Sequence, residues 1–150
     1  LIKKIHMNEE LTLTDPSMTR FMMSLEDSVN LVKEAFKYGK NGDIYVQKSP
    51  AASIKNISLA LLKLFKKNNK IKIIGARHGE KKHESLCTSE EMSMAYGKDN
   101  FYRIPADLRS INYDTHQKKN NIISSKGAYS SDNTKQLNVS EIIKLLKKEI

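Results

Sequence analysis

The sequence predicts a mixed α/β fold made of short strands and amphipathic helices. Three observations support this. Short segments of alternating or β-branched residues alternate with segments whose apolar residues recur at helical spacing. Capping residues precede several of the helical segments. The composition, with 39% hydrophobic and 29% charged residues, is that of a globular protein. At 150 residues the chain is about one domain long and is able to bury a core of its own.

The first third of the chain predicts a helix end, two extended segments and a long helix. Residues 1–6 are typical of the end of an amphipathic helix, and residues 11–14 alternate as a short strand does. Asp15-Pro16 predicts a turn, because a residue before proline avoids the helical region. Residues 18–23 are extended in character. Ser24 opens a helix that Gly39 ends. The apolar residues of this helix, which we assign to the core, are Leu25, Val29, Val32, Ala35 and Phe36.

The middle of the chain predicts strand, helix and strand in turn. Asn41-Gly42 forms a tight turn into a strand over residues 43–48. Ser53 caps the next helix, and residues 71–74 form a strand that we expect to be half-buried. The apolar face of that helix is Ile54, Ile57, Leu61, Leu64 and Phe65. The alternation of strands and helices is typical of the α/β class.

The last third is less regular. Residues 89–92 predict a short helix, 101–104 a strand ending at Pro105, and 107–113 a loop. The composition of residues 117–133 predicts a mobile segment. Asn138 with Glu141 predicts the cap of a C-terminal helix. Its apolar face is Val139, Ile142, Ile143, Leu146 and Ile150.

The segment that follows residues 71–74 is the strongest candidate for a binding loop. Gly75 and Gly79 bound a turn that carries Arg77 and His78, and Glu80, Lys81 and Glu84 follow. Binding groups are often found on loops that a rigid strand supports.

Arginine is rare in this chain, which has 26 lysines and arginines but arginine only at positions 20, 77, 103 and 109. A guanidinium binds phosphate or carboxylate through two parallel hydrogen bonds, which a lysine does not reproduce. Arg77 is therefore a candidate anion ligand. The alternative is a structural ion pair between Arg77 and Glu80 or Glu84.

Several other classes of function receive little support from the sequence. The net charge of +9 suggests nucleic acid, but the lysines are dispersed and no aromatic residues are interleaved with them, so we expect no nucleic-acid partner. Among the histidines, only His78 and His83 lie near each other in sequence. Their spacing is poor for two ligands of one metal ion, so we expect no bound metal. A single cysteine, Cys87, is typical of a protein in a reducing compartment, so we expect a cytoplasmic protein in which Cys87 is buried. No apolar run approaches the length needed to cross a bilayer, so we expect no membrane spans.

Three ordered motifs resemble the C-terminal part of a family of nucleotide-sugar enzymes. They are Asp15-Pro16-Ser17-Met18-Thr19-Arg20-Phe21-Met22, Gly42-Asp43-Ile44-Tyr45-Val46-Gln47-Lys48 and Gly75-Ala76-Arg77-His78-Gly79-Glu80-Lys81. The similarity continues through Tyr102-Arg103-Ile104-Pro105 to Asn133-Thr134-Lys135. The family comprises the capsular polysaccharide UDP-N-acetylglucosamine 4,6-dehydratases with 5-epimerase activity, some of them named UDP-glucose 4-epimerases. They are extended short-chain dehydrogenases/reductases.

The resemblance implies that this chain is the substrate-binding lobe, without the Rossmann half. That half would bind NADP or NAD and carry the catalytic tyrosine and lysine, so no catalytic residue is expected here. Arg20 and Arg77 occupy positions where the family's arginines hold the UDP diphosphate. Met18, Thr19, His78, Glu80 and Lys81 would be neighbours of the substrate. Ser110 departs from the acidic residue expected after Arg109, so no substrate-binding role is assigned to that loop. The loop and the final helix resemble the segment that packs on neighbouring subunits.

The same resemblance implies a division into a nucleotide-sugar-binding lobe over residues 1–113 and a C-terminal extension over residues 114–150. The implied partners are a UDP-sugar, the missing Rossmann half and, in the complete enzyme, further copies of the protein. The implied reaction is oxidation at C4, loss of water across C5 and C6, and return of hydride with inversion at C5. A UDP-hexose 4-epimerase is an open alternative, and a basic interaction module is the alternative from another class.

Overall fold

The computed structural model describes residues 1–106 and 127–149, and these have the mixed α/β fold with short strands that the sequence predicts. The described helices are α1 (Ile2–His6), α2 (Leu25–Tyr38), α3 (Ile54–Leu64), α4 (Ser89–Met94) and α5 (Val139–Leu146). The described strands are β1 (Leu11–Leu13), β2 (Thr19–Phe21), β3 (Ile44–Gln47), β4 (Ala51–Ser53), β5 (Ile71–Ile73), β6 (Ser85–Cys87), β7 (Tyr96–Lys98), β8 (Phe101–Ile104) and β9 (Tyr129–Ser130). The predicted loop at 107–113, with Arg109 and Ser110, lies outside the described residues.

The chain divides into two units that each contain separated segments of sequence. The first comprises Leu1–Ser24, Ser49–Glu84 and Ser130–Ile150, and the second comprises Leu25–Lys48 and Ser85–Tyr129. The predicted boundary between residues 113 and 114 lies outside the described residues, so that division stays a prediction.

The first unit is organised around α3. Ser53 caps this helix as predicted, because its side chain accepts a hydrogen bond from the Asn56 backbone N–H. Leu61 and Leu62 pack against Ile5 and Leu11, whereas Ala60 lies in a second cluster with Ala52, Leu137 and Ile142. The helix therefore joins β1 and α1 on one part of its surface and the C-terminal helix α5 on another. Burial of these apolar side chains is the main source of stability for the unit.

Two pairs of strands complete the first unit. β1 and β5 are parallel, with Leu11 opposite Ile71, and β2 and β4 are antiparallel, with Arg20 opposite Ala52. The prediction of a half-buried strand at Ile71–Ile74 is wrong. Ile73 is 62% exposed and Ile74 is 48% exposed, because only the β1 side of this pair, Leu11 and Leu13, packs into the core.

The second unit contains an antiparallel sheet in the order β3-β8-β7. Val46 and Phe101 are buried residues of this sheet, and β6 pairs with β9 in a separate two-stranded sheet. Asp43 precedes β3 and accepts a 2.8 Å hydrogen bond from Arg103 Nε on β8. This ion pair fixes β3 against β8 at one end.

Two further predictions require correction. The apolar residues of α2 were assigned to the core, but no residue of α2 is buried.

The composition of residues 117–133 predicted a mobile segment. Residues 117–126 lie outside the described residues, but Tyr129 and Ser131 are buried, and Tyr129 forms part of β9. Small polar residues such as Ser131 are compatible with a packed strand end when every polar atom finds a partner.

Candidate functional site

A tight turn leads into β2, which carries the first predicted arginine. Ser17 donates hydrogen bonds from its backbone N–H and its hydroxyl to Asp15 Oδ1, at 2.8 and 2.7 Å. These bonds stabilise the carboxylate and lower the pKa of Asp15 below its ordinary value. The turn delivers Met18 and Thr19 into the interior, where both are buried. β2 is therefore a rigid support for Arg20.

The guanidinium of Arg20 is surrounded by groups of the protein itself. Its Nη1 donates to the backbone oxygens of Thr19 at 2.7 Å and Lys82 at 3.3 Å. Its Nη2 donates to the Lys81 backbone oxygen at 3.3 Å and contacts Met18 Sδ at 3.9 Å. Its Nε lies 3.5 Å from Glu84 Oε1. Because a guanidinium has five N–H donors, these contacts occupy nearly all of them.

A buried hydroxyl network lies beside Arg20 and involves residues that the sequence analysis did not select. The Thr19 hydroxyl lies 2.6 Å from Ser131 Oγ and 2.8 Å from His83 Nδ1. Ser131 Oγ also accepts a hydrogen bond from the Glu84 backbone N–H at 2.9 Å. Ser131 is 0% exposed and Thr19 is 7% exposed, so the contact between their hydroxyls is shielded from water. It ties residues 83 and 84 to β2.

The loop over residues 75–80 is braced by Glu80. Its Oε1 accepts from the Thr14 hydroxyl at 3.0 Å, and its Oε2 accepts from the Arg77 backbone N–H at 3.2 Å. Gly75 and Gly79 have φ angles of +84° and +80°, which other residues adopt only with strain. One end of the loop is therefore fixed by β5 and its middle by a carboxylate that reaches the end of β1.

Three basic side chains are exposed on the loop and directly after it. Arg77, His78 and Lys81 are exposed. Within the described residues, the Arg77 guanidinium makes no ion pair with Glu80 or Glu84, because Glu84 pairs with Arg20 and Glu80 with Thr14 and the loop backbone. This geometry does not support the alternative in which Arg77 is held in a structural ion pair. An exposed guanidinium on a braced loop is suited to binding an anion.

The structure thus brings Met18, Thr19 and Arg20 against the backbone of residues 81–84, and joins Glu80 to β1. The two arginines differ: Arg20 is enclosed by carbonyl oxygens, and Arg77 is open to solvent. Sequence reasoning missed His83, Glu84 and Ser131 as supports of the site. The adjacency of His83 and Glu84 to the loop was visible, but Ser131 lies 112 residues from Thr19 and no local pattern connects them.

No group of three or more His, Cys, Asp or Glu side chains in residues 1–106 and 127–149 is arranged to hold a metal ion. The sequence contains no Gly-x-Gly-x-x-Gly motif, so it offers no cradle for a dinucleotide of the kind that this motif forms. Within the same described ranges, no helix is long and apolar enough to cross a membrane.

Comparison with protein families identifies the chain. Residues 1–106 match the family described as "Polysaccharide biosynthesis protein", and residues 107–148 match the family described as "Polysaccharide biosynthesis protein C-terminal". The chain belongs to the polysaccharide biosynthesis protein family. The expected resemblance to polysaccharide biosynthesis enzymes, and to their C-terminal part, is confirmed.

Curated relatives of this polysaccharide biosynthesis protein cover nearly all of its length. A protein of Rickettsia bellii named "UDP-glucose 4-epimerase" is 51% identical over 149 residues, which are 97% of this chain and 43% of that protein. A protein of Rickettsia akari with the same name is 50% identical with the same coverage. The chain therefore spans less than half the length of these relatives.

A solved structure shares the fold. It is described as "X-ray structure of Pen from Bacillus thuringiensis" and matches with a TM-score of 0.80 and 31% sequence identity. The match covers 99% of this chain and 42% of the other. The predicted fold class, a mixed α/β part of a larger family fold, is confirmed.

Proposed function

We propose that this chain is the nucleotide-sugar-binding part of an enzyme of polysaccharide biosynthesis. The observation that carries the proposal is the exposed guanidinium of Arg77, on a loop that Glu80 braces and whose following residues Arg20 holds in place. A diphosphate is the part of a UDP-sugar that such a group binds best, through two parallel charge-assisted hydrogen bonds. Membership of the polysaccharide biosynthesis family supports a sugar substrate.

In this proposal the predicted site residues have distinct roles. Arg77 binds the diphosphate, with His78 and Lys81 as exposed neighbours on the same segment. Arg20 positions residues 81 and 82 through their carbonyl oxygens. A direct contact of Arg20 with the diphosphate stays a prediction, and it requires Arg20 to exchange some of these bonds. Met18 and Thr19 support β2 from within the unit, and Glu80 orients the loop.

The chain's own residues supply binding and orientation. Holding a substrate in one geometry lowers the entropic part of the barrier, and binding energy from the nucleotide is available for this purpose. NAD or NADP, bound in the part of the family fold that this chain does not span, would supply hydride transfer at the sugar. No catalytic residue is assigned to the chain itself.

Two reactions are candidates for the complete enzyme. One is 4,6-dehydration and 5-epimerisation of UDP-N-acetylglucosamine, which the sequence motifs suggest, for capsule or O-antigen synthesis. The other is 4-epimerisation of UDP-glucose, which the names of the Rickettsia relatives favour. Products from each sugar, separated and identified by NMR, distinguish them, because only dehydration removes the oxygen at C6.

The test of the binding site is Arg77→Lys in a completed enzyme, made by joining this chain to the part of the R. bellii relative that it does not span. Lysine keeps the charge but cannot make the two parallel hydrogen bonds of a guanidinium, so we expect UDP affinity to fall by about 1–3 kcal/mol. The melting temperature should not change, because the guanidinium makes no ion pair within the described residues. Calorimetric titration with UDP and thermal unfolding measure the two quantities.

Arg20→Lys is the companion variant. Lysine does not bridge the carbonyl oxygens of Lys81 and Lys82 as a guanidinium does, so this change should lower the melting temperature as well as UDP affinity. If Arg77→Lys instead lowered the melting temperature and left UDP affinity unaltered, Arg77 would be a structural residue and the proposal would be wrong.

A further inference from the structure

Helix α2 presents a line of apolar side chains to solvent. Val29, Val32 and Phe36 are 43%, 53% and 88% exposed, and Leu25, one turn earlier, is 70% exposed. These positions recur at intervals of four, three and four residues, so they lie along one side of the helix. Such a stripe normally faces a core. Here it is the exposed side of a helix in which no residue is buried.

The opposite side of α2 is the side that attaches to its own unit. Lys98 of β7 places its Nζ 3.5 Å from Glu34 Oε2 and 4.4 Å from the centroid of the Tyr38 ring. Glu34 lies about 200° around the helix from Val32, given about 100° per residue. Leu31 and Ala35 on this side are half-buried. The helix is therefore held to its unit by charged, aromatic and small apolar contacts, while the stripe of Leu25, Val29, Val32 and Phe36 faces water.

The share of the relatives that this chain spans indicates what covers the stripe. The chain corresponds to 43% of the R. bellii relative and 42% of the Pen chain, so more than half of each lies outside the match. That larger portion requires a contact surface on this part of the fold if the protein is to be compact. A row of aliphatic and aromatic side chains without an intervening charge is typical of a permanent interface rather than a transient one.

We propose that the stripe formed by Leu25, Val29, Val32 and Phe36 is the docking surface for the part of the family fold that this chain does not span. Phe36, with its ring almost entirely exposed, is the anchor of this interface. Glu26 and Lys33, which are exposed beside the stripe, form part of its polar rim. The inference does not depend on which sugar, or which reaction, the complete enzyme uses.

The test is capture in trans. The 150-residue chain, carrying an affinity tag, is co-expressed with the portion of the R. bellii relative outside the match, and the amount of that portion that co-purifies is measured. Phe36→Ser should reduce it by about tenfold or more. Asn30→Ser is the matched control: it changes an exposed residue of the same helix, outside the stripe and its rim, to the same side chain, and capture should be retained.

Thermal unfolding of the two variant chains checks that each is folded as well as the parent. Because Phe36 is 88% exposed, its replacement should not lower the melting temperature of the isolated chain. Failure of capture by the parent chain, or equal capture by Phe36→Ser and the parent, overturns the proposal. So does a dimer of the isolated chain that Phe36→Ser makes monomeric, because the stripe would then bind a second copy. UDP affinity is a separate measurement, so failure of the binding proposal is recognised independently.

Discussion

At the scale of single residues, the ion pair between Asp43 and Arg103 is the clearest electrostatic contribution to the second unit. The Asp43 side chain is only 4% exposed. Burial opposes ionisation and raises its pKa, but hydrogen bonds from the Lys40 backbone N–H and the Arg103 guanidinium outweigh burial. The pKa of Asp43 therefore lies below its ordinary value. The folded state binds the proton less readily than the unfolded state does.

We expect Asp43→Asn to lower the free energy of unfolding by about 1.5–3 kcal/mol at pH 7, the scale of a hydrogen bond to a charged group. A depressed pKa contributes stability above the unfolded value of about 3.9, and this contribution disappears as pH falls through the folded pKa. The difference between parent and variant should therefore shrink between pH 7 and pH 3. Urea unfolding at several pH values measures it.

Glu10→Gln, at an exposed carboxylate, is the control for Asp43→Asn and should change stability little at either pH. A difference for Asp43→Asn that stayed constant across the pH range would indicate that shape, rather than charge, is responsible.

The contrast between the two predicted arginines shows how far residue-level reasoning extends. Rarity and side-chain chemistry correctly singled out Arg77 as an exposed cation on a glycine-bounded turn. They gave no indication that Arg20 is enclosed by the carbonyl oxygens of residues 81 and 82. Nor did they predict the ion pair between Arg20 and Glu84. Glu84 was instead considered as an ion-pair partner of Arg77. Partners across 60 residues or more depend on tertiary structure, which has no local signature.

At the scale of elements, the caps of α3 and α5 were predicted correctly because a cap is a local feature. Asn138 accepts a hydrogen bond from the Glu141 backbone N–H at 3.0 Å, and the Glu141 carboxylate accepts from the Asn138 backbone N–H at 2.9 Å. This reciprocal arrangement starts α5, whose Ile142 is 0% exposed against Ala52, Ala60 and Leu137. The strands β4, β6, β7 and β9 were missed. They have two or three residues each, and their existence depends on partners distant in sequence.

We expect Asn138→Ala to lower the free energy of unfolding by about 1 kcal/mol, because the first turn of α5 loses the acceptor for a backbone donor. Ser140→Ala, an exposed position within the same helix, should have little effect or stabilise slightly, since alanine has the higher helix propensity. Denaturant midpoints of the two variants make the comparison. Equal effects at both positions would exclude a capping contribution.

At the scale of the whole molecule, the net charge of +9 is what suggests the alternative of a basic interaction module. The salt dependence of binding distinguishes that alternative from the proposed function. The completed enzyme should bind UDP selectively. Any binding of nucleic acid should be weak and should disappear as salt is raised, because dispersed lysines supply only non-specific attraction. Titration with UDP and with single-stranded DNA at 50 and about 200 mM salt compares the two. Tight, base-independent binding of DNA that excludes UDP would favour the basic module.

The exposed stripe of α2 also belongs to this scale. Periodicity correctly predicted that Val29, Val32 and Phe36 share one side of a helix, but assigned that side to the core of this chain. An apolar pattern identifies one side of a helix, but it does not identify what that side contacts. The prediction treated the chain as if it had to cover every apolar face itself, although the chain spans only 43% of the R. bellii relative.

Cys87 is 2% exposed, and burial, together with the nearby charge of Glu91, raises the pKa of its thiol to about 11. As the only thiol in the chain, it stays protonated and shielded while β6 and α4 remain packed, and alkylating reagents react with the thiolate. The rate at which iodoacetamide modifies the folded protein therefore reports how often this region opens. Mass spectrometry measures that rate without any engineered label.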